Sequence, residues 1–194
     1  MLRPTEVEIR ILLENRKKIE RKIKSIGARA VSFLKIKDYW YCLSSAKSRK
    51  HIGIDRSGFA LRVRELKDLH TKKLAASLNC KTLYDKKTHA LCNEYEVVLP
   101  VSSSIKKILE SIGMREFLVV EKERIVYKYK NINFCFDKIK GIGNGLEIEV
   151  MAKGNPKETQ DKLIDLAVKL GIKRREILKK SLTYLAMEKL SNLR

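Results

Sequence analysis

Positions 5–12 alternate, with Glu6, Glu8 and Arg10 on one side and Val7, Ile9 and Ile11 on the other, the two-residue period of a half-buried strand. Leu12, Ile19, Ile23 and Ile26 then recur at helical spacing, and Gly27 is placed to end that helix. Strand-like segments follow at 35–43, 59–66, 76–82, 93–99, 118–128, 132–139 and 146–151, which makes eight with the first. A second helix is predicted at 102–112 between strands, a third at 156–170 with Pro156 near its start, and a fourth at 174–190. The stretches 44–57 and 67–75 read as polar loops. Gly141-Ile142-Gly143-Asn144-Gly145 lies between two strand-like runs and reads as a hairpin turn rather than a phosphate-binding loop.

A weak internal repeat supports this division. Glu8, a helix and Ser25-Ile26-Gly27 recur at one offset as Glu94, a helix and Ser111-Ile112-Gly113. No linker rich in Pro, Gly or Ser separates the halves. The expectation is a single domain over 1–194, with pseudo-repeat halves at about 5–90 and 91–152 and C-terminal helices at about 156–192.

What alternates with the apolar residues carries the chemistry. Strand after strand sets ionisable groups on one face: Glu6, Glu8 and Arg10; Arg62 and Arg64; Lys81; Glu94 and Glu96; Lys122 and Arg124; Asp137; Glu147 and Glu149. One such strand is an ordinary wet sheet face. The amphipathic helices between strands, however, need an apolar sheet face to pack on, which leaves the charged face as the opposite one. Eight antiparallel strands can close into a barrel, and closure turns that face into a charged lumen. The fold class expected is α+β: a closed eight-stranded antiparallel β-barrel with helices packed outside. Crowded charges of both signs suit a polyanion with a divalent cation, carboxylates offering hard oxygen ligands to Mg²⁺ or Mn²⁺ and basic groups pairing with phosphate oxygens.

Composition narrows the classes. Of 194 residues 44% are hydrophobic and 34% charged, as in a globular protein. Neither a signal peptide nor an apolar run of membrane-spanning length is evident, so no membrane association is expected and the expected location is cytoplasmic. Cys42, Cys80, Cys92 and Cys135 stand singly with no CxxC pair, which argues against zinc and for reduced thiols. His51, His70 and His89 fall in polar, loop-like sequence and are assigned no role. The absence of GxxxxGK[ST] excludes P-loop chemistry. The net charge of +20 attracts polyanions without naming one.

The ordered series of these motifs resembles the CYTH superfamily, which includes class IV adenylyl cyclases, thiamine triphosphatases and inorganic triphosphatases. Glu6-Val7-Glu8-Ile9-Arg10 is similar to the N-terminal ExExK signature, with arginine for lysine. Asp38-Tyr39-Trp40 resembles the aspartate-tyrosine-aromatic strand start, Leu61-Arg62-Val63-Arg64 the paired-arginine strand, and Lys81 the lysine ending the next strand. Glu94-Tyr95-Glu96, Lys122-Glu123-Arg124, Asp137, and Gly143 with Leu146-Glu147-Ile148-Glu149 continue the match to the family's ExE, KxR, strand-end aspartate and glycine with EIE. Nearly the whole chain is covered.

The resemblance implies an eight-stranded tunnel in which Glu6, Glu8, Asp137, Glu147 and Glu149 bind metal and Arg10, Arg62, Arg64, Lys81, Lys122 and Arg124 hold a triphosphate. It implies catalytic roles for Glu8, Arg10, Lys81 and Lys122, with Mg²⁺ or Mn²⁺ as cofactor. Cys92 stands where the family commonly has a phosphate-binding arginine, and one lost charge-assisted contact costs about 1.5 to 3 kcal/mol. Phe59-Ala60-Leu61-Arg62 lacks the histidine-phenylalanine pair of the best-known cyclases. Tyr39 and Trp40 are assigned to buried packing ahead of stacking on a base, and Tyr184 to helix packing.

The function expected is metal-dependent phosphotransfer on a nucleoside or organic triphosphate, class IV adenylyl cyclase-like, forming cyclic AMP and pyrophosphate from ATP. Hydrolysis of inorganic or thiamine triphosphate is the alternative. A further alternative is a non-catalytic module that binds nucleotide, polyphosphate or RNA. Secondary nucleic-acid or polyphosphate binding on the basic surface and a homodimer are compatible partner states.

Overall fold

A computed structural model of the chain describes residues 5–48, 51–52, 57–83 and 91–190; His89 lies outside them. Eight antiparallel strands curl into a closed barrel: β1 (Thr5–Leu12), β2 (Arg29–Leu43), β3 (Ala60–Asp68), β4 (Leu74–Leu83), β5 (Leu91–Leu99), β6 (Met114–Tyr129), β7 (Ile132–Ile139) and β8 (Gly143–Ala152). Around the barrel the order is β5, β4, β3, β2, β6, β7, β8, β1, and β1 returns to β5. That last seam is short, with Glu6 opposite Cys92 and Val7 opposite Leu91, while β1 runs its full length against β8.

The two faces of each strand separate chemically. From β1, Val7, Ile9 and Ile11 point outward into a core shared with Phe134, Phe136 and Ile148. Helix α1 (Arg16–Ser25) adds Ile19 and Ile23 to that core, and α3 (Pro156–Lys169) adds Leu163 and Ala167. Helix α2 (Ser102–Ser111) covers Tyr41 and Val63 with Leu109. The apolar face thus goes to the helices, and the charged face has only the lumen left.

The internal repeat has a geometric counterpart. Gly27 and Gly113 follow α1 and α2 with φ of +94° and +85°, a left-handed backbone that glycine takes without steric cost. Their N–H groups donate to Lys24 and Glu110 carbonyls at 3.0 and 3.1 Å, so both helices end in the same turn. The strands that follow, β2 and β6, pair with each other.

One expectation needs correcting and another narrowing. The stretch 174–190 is not one helix but a 3₁₀ turn (Arg174–Glu176), a two-residue strand β9 (Ile177–Leu178) and helix α4 (Leu182–Leu190). The Glu176 carboxylate accepts from the Lys173 N–H at 2.9 Å and tightens the turn, and β9 then pairs with Arg10 and Ile11 on β1. Ser181 restarts the helix, its Oγ accepting from the Tyr184 N–H at 3.0 Å. The polar stretch 67–75 is a loop only in its middle: β3 runs to Asp68 and β4 begins at Leu74. Only a short turn is left, held by Asp68 Oδ1 accepting from the N–H groups of His70 and Thr71 at 2.9 and 2.7 Å.

Helix α4 packs at one end of the barrel. Leu182, Ala186 and Met187 join Trp40, Cys42, Leu118, Val120 and Ile139 in a second apolar cluster. Gly145 permits this approach, since a Cβ there would meet Leu182 Cδ1 at 2.6 Å.

Candidate active site

The barrel encloses a cavity of about 280 Å³. Its wall includes Glu6, Glu8 and Arg10 of β1, Arg62 and Arg64 of β3, Lys81 of β4, Lys122 and Arg124 of β6, and Glu147 and Glu149 of β8. Strand alternation alone accounts for this convergence, because every one of these side chains lies on its strand's inner face. Asp137 of β7 is fully buried beside them.

Three carboxylates come together. One oxygen each from Glu6, Glu8 and Glu149 lies within 4.8 Å of the others, on neighbouring strands whose register sets Glu8 directly opposite Glu149. Burial raises the Glu149 and Glu6 carboxyls above their ordinary range; Arg124 and Lys81 respectively oppose this, and neighbouring carboxylates reinforce it. Lys81 supplies the local cation: its ammonium hydrogen-bonds Glu6 and lies 3.3 Å from Glu94 and 3.7 Å from Glu8. Burial alone would lower the Lys81 ammonium, but Glu8, Glu6 and Glu94 hold it well above the usual lysine range. A cluster of hard oxygen donors that already accepts an ammonium fits a hard divalent cation such as Mg²⁺ or Mn²⁺.

The other two carboxylates expected to bind metal are engaged differently. Asp137 accepts two hydrogen bonds from Arg124, both at 2.6 Å, and one from Lys122 at 2.7 Å. Glu147 accepts from Arg124 as well. Burial would raise the Glu147 carboxyl, but Arg124, Lys122 and Arg10 hold it well below its ordinary range. Arg10 is buried and donates to Glu8.

Across the cavity, Asp38 anchors the paired arginines. Arg64 donates to both its carboxylate oxygens at 2.7 and 2.8 Å, and Arg62 lies 3.7 Å away. Burial would raise Asp38, but Arg64 and Arg62 hold it far below the carboxylate range. Arg62 also sits over the Trp40 ring, 5.3 Å from its centroid, and 3.6 Å from Glu94. Trp40 faces the cavity and is buried in the cluster under α4, as expected of packing. Tyr39 points outward, its hydroxyl donating to Glu65 at 3.0 Å.

Some of the lining was not singled out from the sequence. Asn79 is 2% exposed, accepts from Ser77 at 3.0 Å and Arg62 at 3.5 Å, and donates to Glu96 at 2.8 Å. It lies two residues before Lys81 on the same face of β4, so the two-residue period could have found it. Asp38, Glu94 and Glu96, which the sequence motifs include without a site role, line the cavity as well. Cys92, on β5 beside Glu6, is buried, and burial pushes its thiol up to about 11, so this position brings no charge at neutral pH. An apolar part of the wall is formed by Trp40, Ile52, Phe59, Phe117 and Met187, with Ser181 and Thr183 beside it.

A closed antiparallel barrel whose lumen is lined by acidic and basic side chains is a tunnel fold. The chain belongs to the CYTH domain family, whose family model matches residues 4–182. Members of that family are typically enzymes, and its triphosphate-tunnel members depend on a metal in general. The PH1012 protein from Pyrococcus horikoshii OT3 has a similar structure, with 26% identity, a TM-score of 0.76, and 93% of this chain and 98% of that one covered. A candidate adenylate cyclase from Vibrio parahaemolyticus shares the fold at 14% identity and a TM-score of 0.74, over 95% and 98% of the two chains. HpAC1 from Hippeastrum, a candidate adenylyl cyclase with a dominant triphosphatase activity, does so at 11% identity and 0.61, over 95% and 94%. No curated protein matches the chain by sequence. Among the described residues no helix is long and apolar enough to cross a membrane.

Proposed function

We propose that the tunnel binds an organic triphosphate with a divalent cation and catalyses transfer at phosphorus, with cyclisation of a nucleoside triphosphate as the leading reaction. The observation that carries this reading is the opening of the Glu6, Glu8 and Glu149 cluster onto the same cavity as Arg62, Lys81, Lys122 and Arg124. The three carboxylates would hold Mg²⁺ or Mn²⁺, which supplies Lewis-acid polarisation of phosphoryl oxygens. Arg62 and Lys122 bind phosphate oxygens, and Arg124, fixed by Asp137 and Glu147, presents a rigid positive edge to the polyphosphate. Arg10 and Lys81 orient the acidic cluster by holding Glu8 and Glu6. The apolar wall beside Trp40 and Phe117 gives a base and sugar a place that an inorganic triphosphate leaves unfilled, which favours an organic substrate.

In the cyclisation, the ribose 3′-oxygen bonds to the α-phosphorus, the bond from that phosphorus to the bridging oxygen breaks, and pyrophosphate leaves with the charge. The hydroxyl proton passes to Glu8, and Lys122 and Arg124 stabilise the departing pyrophosphate. In hydrolysis water attacks the terminal phosphorus instead, the bond from that phosphorus to its bridging oxygen breaks, the organic diphosphate leaves with the charge and the water's proton passes to Glu8; HpAC1 illustrates a dominant triphosphatase on this fold.

The test is ³¹P NMR of the protein with ATP, thiamine triphosphate and inorganic triphosphate, each with Mg²⁺ or Mn²⁺. Pyrophosphate with cyclic AMP establishes the cyclase and orthophosphate the triphosphatase. Tight binding without product would leave a non-catalytic module. Glu149→Gln is expected to raise the metal concentration needed for half-maximal turnover at least tenfold while leaving metal-free binding of the triphosphate within about twofold, since only the cluster is weakened. An unchanged metal requirement would remove the cluster from the metal site.

A further inference from the structure

The tunnel does not account for the charge of this protein. Six basic and seven acidic side chains line the cavity, and buried Asp137 adds an eighth carboxylate, so none of the net +20 resides there. The excess is carried outside, and α1 concentrates it. Of its ten residues six are basic and one, Glu20, is acidic. Glu20 is already committed to Arg16 at 3.5 Å, Lys24 at 3.2 Å and the Tyr127 hydroxyl.

Helix α1 breaks two local rules on its exposed side. Arg16, Lys17 and Lys18 fill the first turn, where the helix dipole disfavours cations; that turn holds no acidic residue, and of the three only Arg16 reaches Glu20. Lys17 with Arg21, and Lys18 with Lys22, are like charges one turn apart, which repel on an isolated helix. By contrast α3 begins with Asn155, Pro156 and Glu158, the ordinary arrangement. The basic surface continues past α1: the Lys22 ammonium lies over Gly171, at the carbonyl end of α3, and exposed Lys169 and Lys173 flank that glycine in the chain. Local conflicts left uncompensated within a fold mark surfaces selected for something other than stability.

We infer that the outer face of α1, with Lys17, Lys18, Arg21 and Lys24 and the adjoining Lys169 and Lys173, is a second binding surface that takes the phosphate backbone of nucleic acid without reading sequence. A row of exposed cations relieved by a phosphodiester chain is the electrostatic footprint of such binding, and the exposed residues of α1 include no aromatic or apolar side chain to read bases. An anionic membrane fits less well, because the exposed residues of α1 are Lys17, Lys18, Arg21, Lys24 and Ser25, with no apolar side chain to enter a bilayer.

The experiment is fluorescence anisotropy with a labelled 20-mer RNA and a DNA duplex, both with 5′-hydroxyl ends so that neither presents a triphosphate to the tunnel. In about 0.15 M salt both are expected to bind with Kd of about 1 to 100 µM, and log K is expected to fall against log salt with a slope of about −3 to −5. Lys17→Glu/Lys18→Glu/Arg21→Glu should weaken binding by about tenfold or more. An equal change of charge elsewhere, Lys67→Glu/Lys73→Glu/Lys107→Glu, should weaken it less than about threefold, and neither variant should alter triphosphate binding in the tunnel. Thermal melting checks folding; should the glutamate variant fail to fold, the corresponding glutamine triple variant removes the charge alone and must also lose affinity. Equal loss in the control, or undiminished binding in the α1 variants, overturns the inference by showing that the charge acts diffusely. Binding to phosphatidylserine vesicles with none to nucleic acid in the same salt overturns it in favour of a membrane surface.

Discussion

Asp38 is 2% exposed and holds Arg64 by two hydrogen bonds with Arg62 close by, so its charge is what makes two half-buried guanidiniums side by side tolerable. Because its folded pKa is depressed, its contribution to stability is complete above about pH 3.9, the unfolded value, and is lost as pH falls through the folded one. Glu147 and Asp137 are depressed too and act in the same direction. Denaturant unfolding followed downward from pH 7 should therefore show a steep loss of stability below about pH 4. Asp38→Asn should be less stable by about 3 to 5 kcal/mol at neutral pH, with a smaller loss in acid. An acid limb as steep as in the parent chain would mean that Asp38 is not among the groups that titrate. At this scale the sequence was half legible. Alternation identified which residues face inward, because side-chain direction is a property of the strand itself. It did not reveal that Asp137 and Glu147 pair with Arg124 while Glu6, Glu8 and Glu149 cluster, because that choice depends on cross-strand register, such as Arg124 opposite Asp137 and Glu8 opposite Glu149.

Elements with a strong period or a clear stop were readable: β1, the two helices ended by Gly27 and Gly113, and the hairpin at Gly141. The C-terminal segment was not, because Ile177 and Leu178 satisfy a helical period and a strand equally over two residues. What decided between them was tertiary: beyond the β5 seam, the edge of β1 at Arg10 and Ile11 offers a ladder partner. The contact that seats α4 is similarly invisible in sequence, and it can be tested. Gly145→Ala would place its methyl carbon against Leu182 Cδ1, and overpacking of this kind typically costs about 1 to 3 kcal/mol. Leu182→Ala alone should also destabilise, by opening a cavity beneath a side chain that is 3% exposed. The double variant should be more stable than the two costs added together predict, since the alanine at 145 then fills space that Leu182 vacates. Strict additivity in a double-mutant cycle, read by urea unfolding, would show that α4 does not rest on Gly145.

For the molecule as a whole, the separation of charge into a balanced interior and a basic exterior has a thermodynamic signature. The tunnel pairs are buried and close, Asp137 with Arg124 at 2.6 Å being an example, and mobile ions screen such contacts weakly. The exterior excess is exposed and spread over distances comparable to the Debye length, about 10 Å at 0.1 M salt, so its self-repulsion is screened readily. Salt should therefore weaken what destabilises the fold more than what holds it together. The melting temperature is expected to rise by several degrees between about 0.02 and 0.15 M sodium chloride, where the Debye length shortens from roughly 20 to 8 Å, and to change little beyond. The chloride salt matters, because sulfate or phosphate could occupy the tunnel and stabilise by binding instead. Replacing Lys17, Lys18 and Arg21 by glutamine should raise the low-salt melting temperature and flatten its rise, since these residues supply the like-charge contacts on α1. A melting temperature that falls as chloride is added would mean that exposed ion pairs such as Arg174 with Asp165 outweigh the repulsion, and the net charge would then be no measure of strain in this fold.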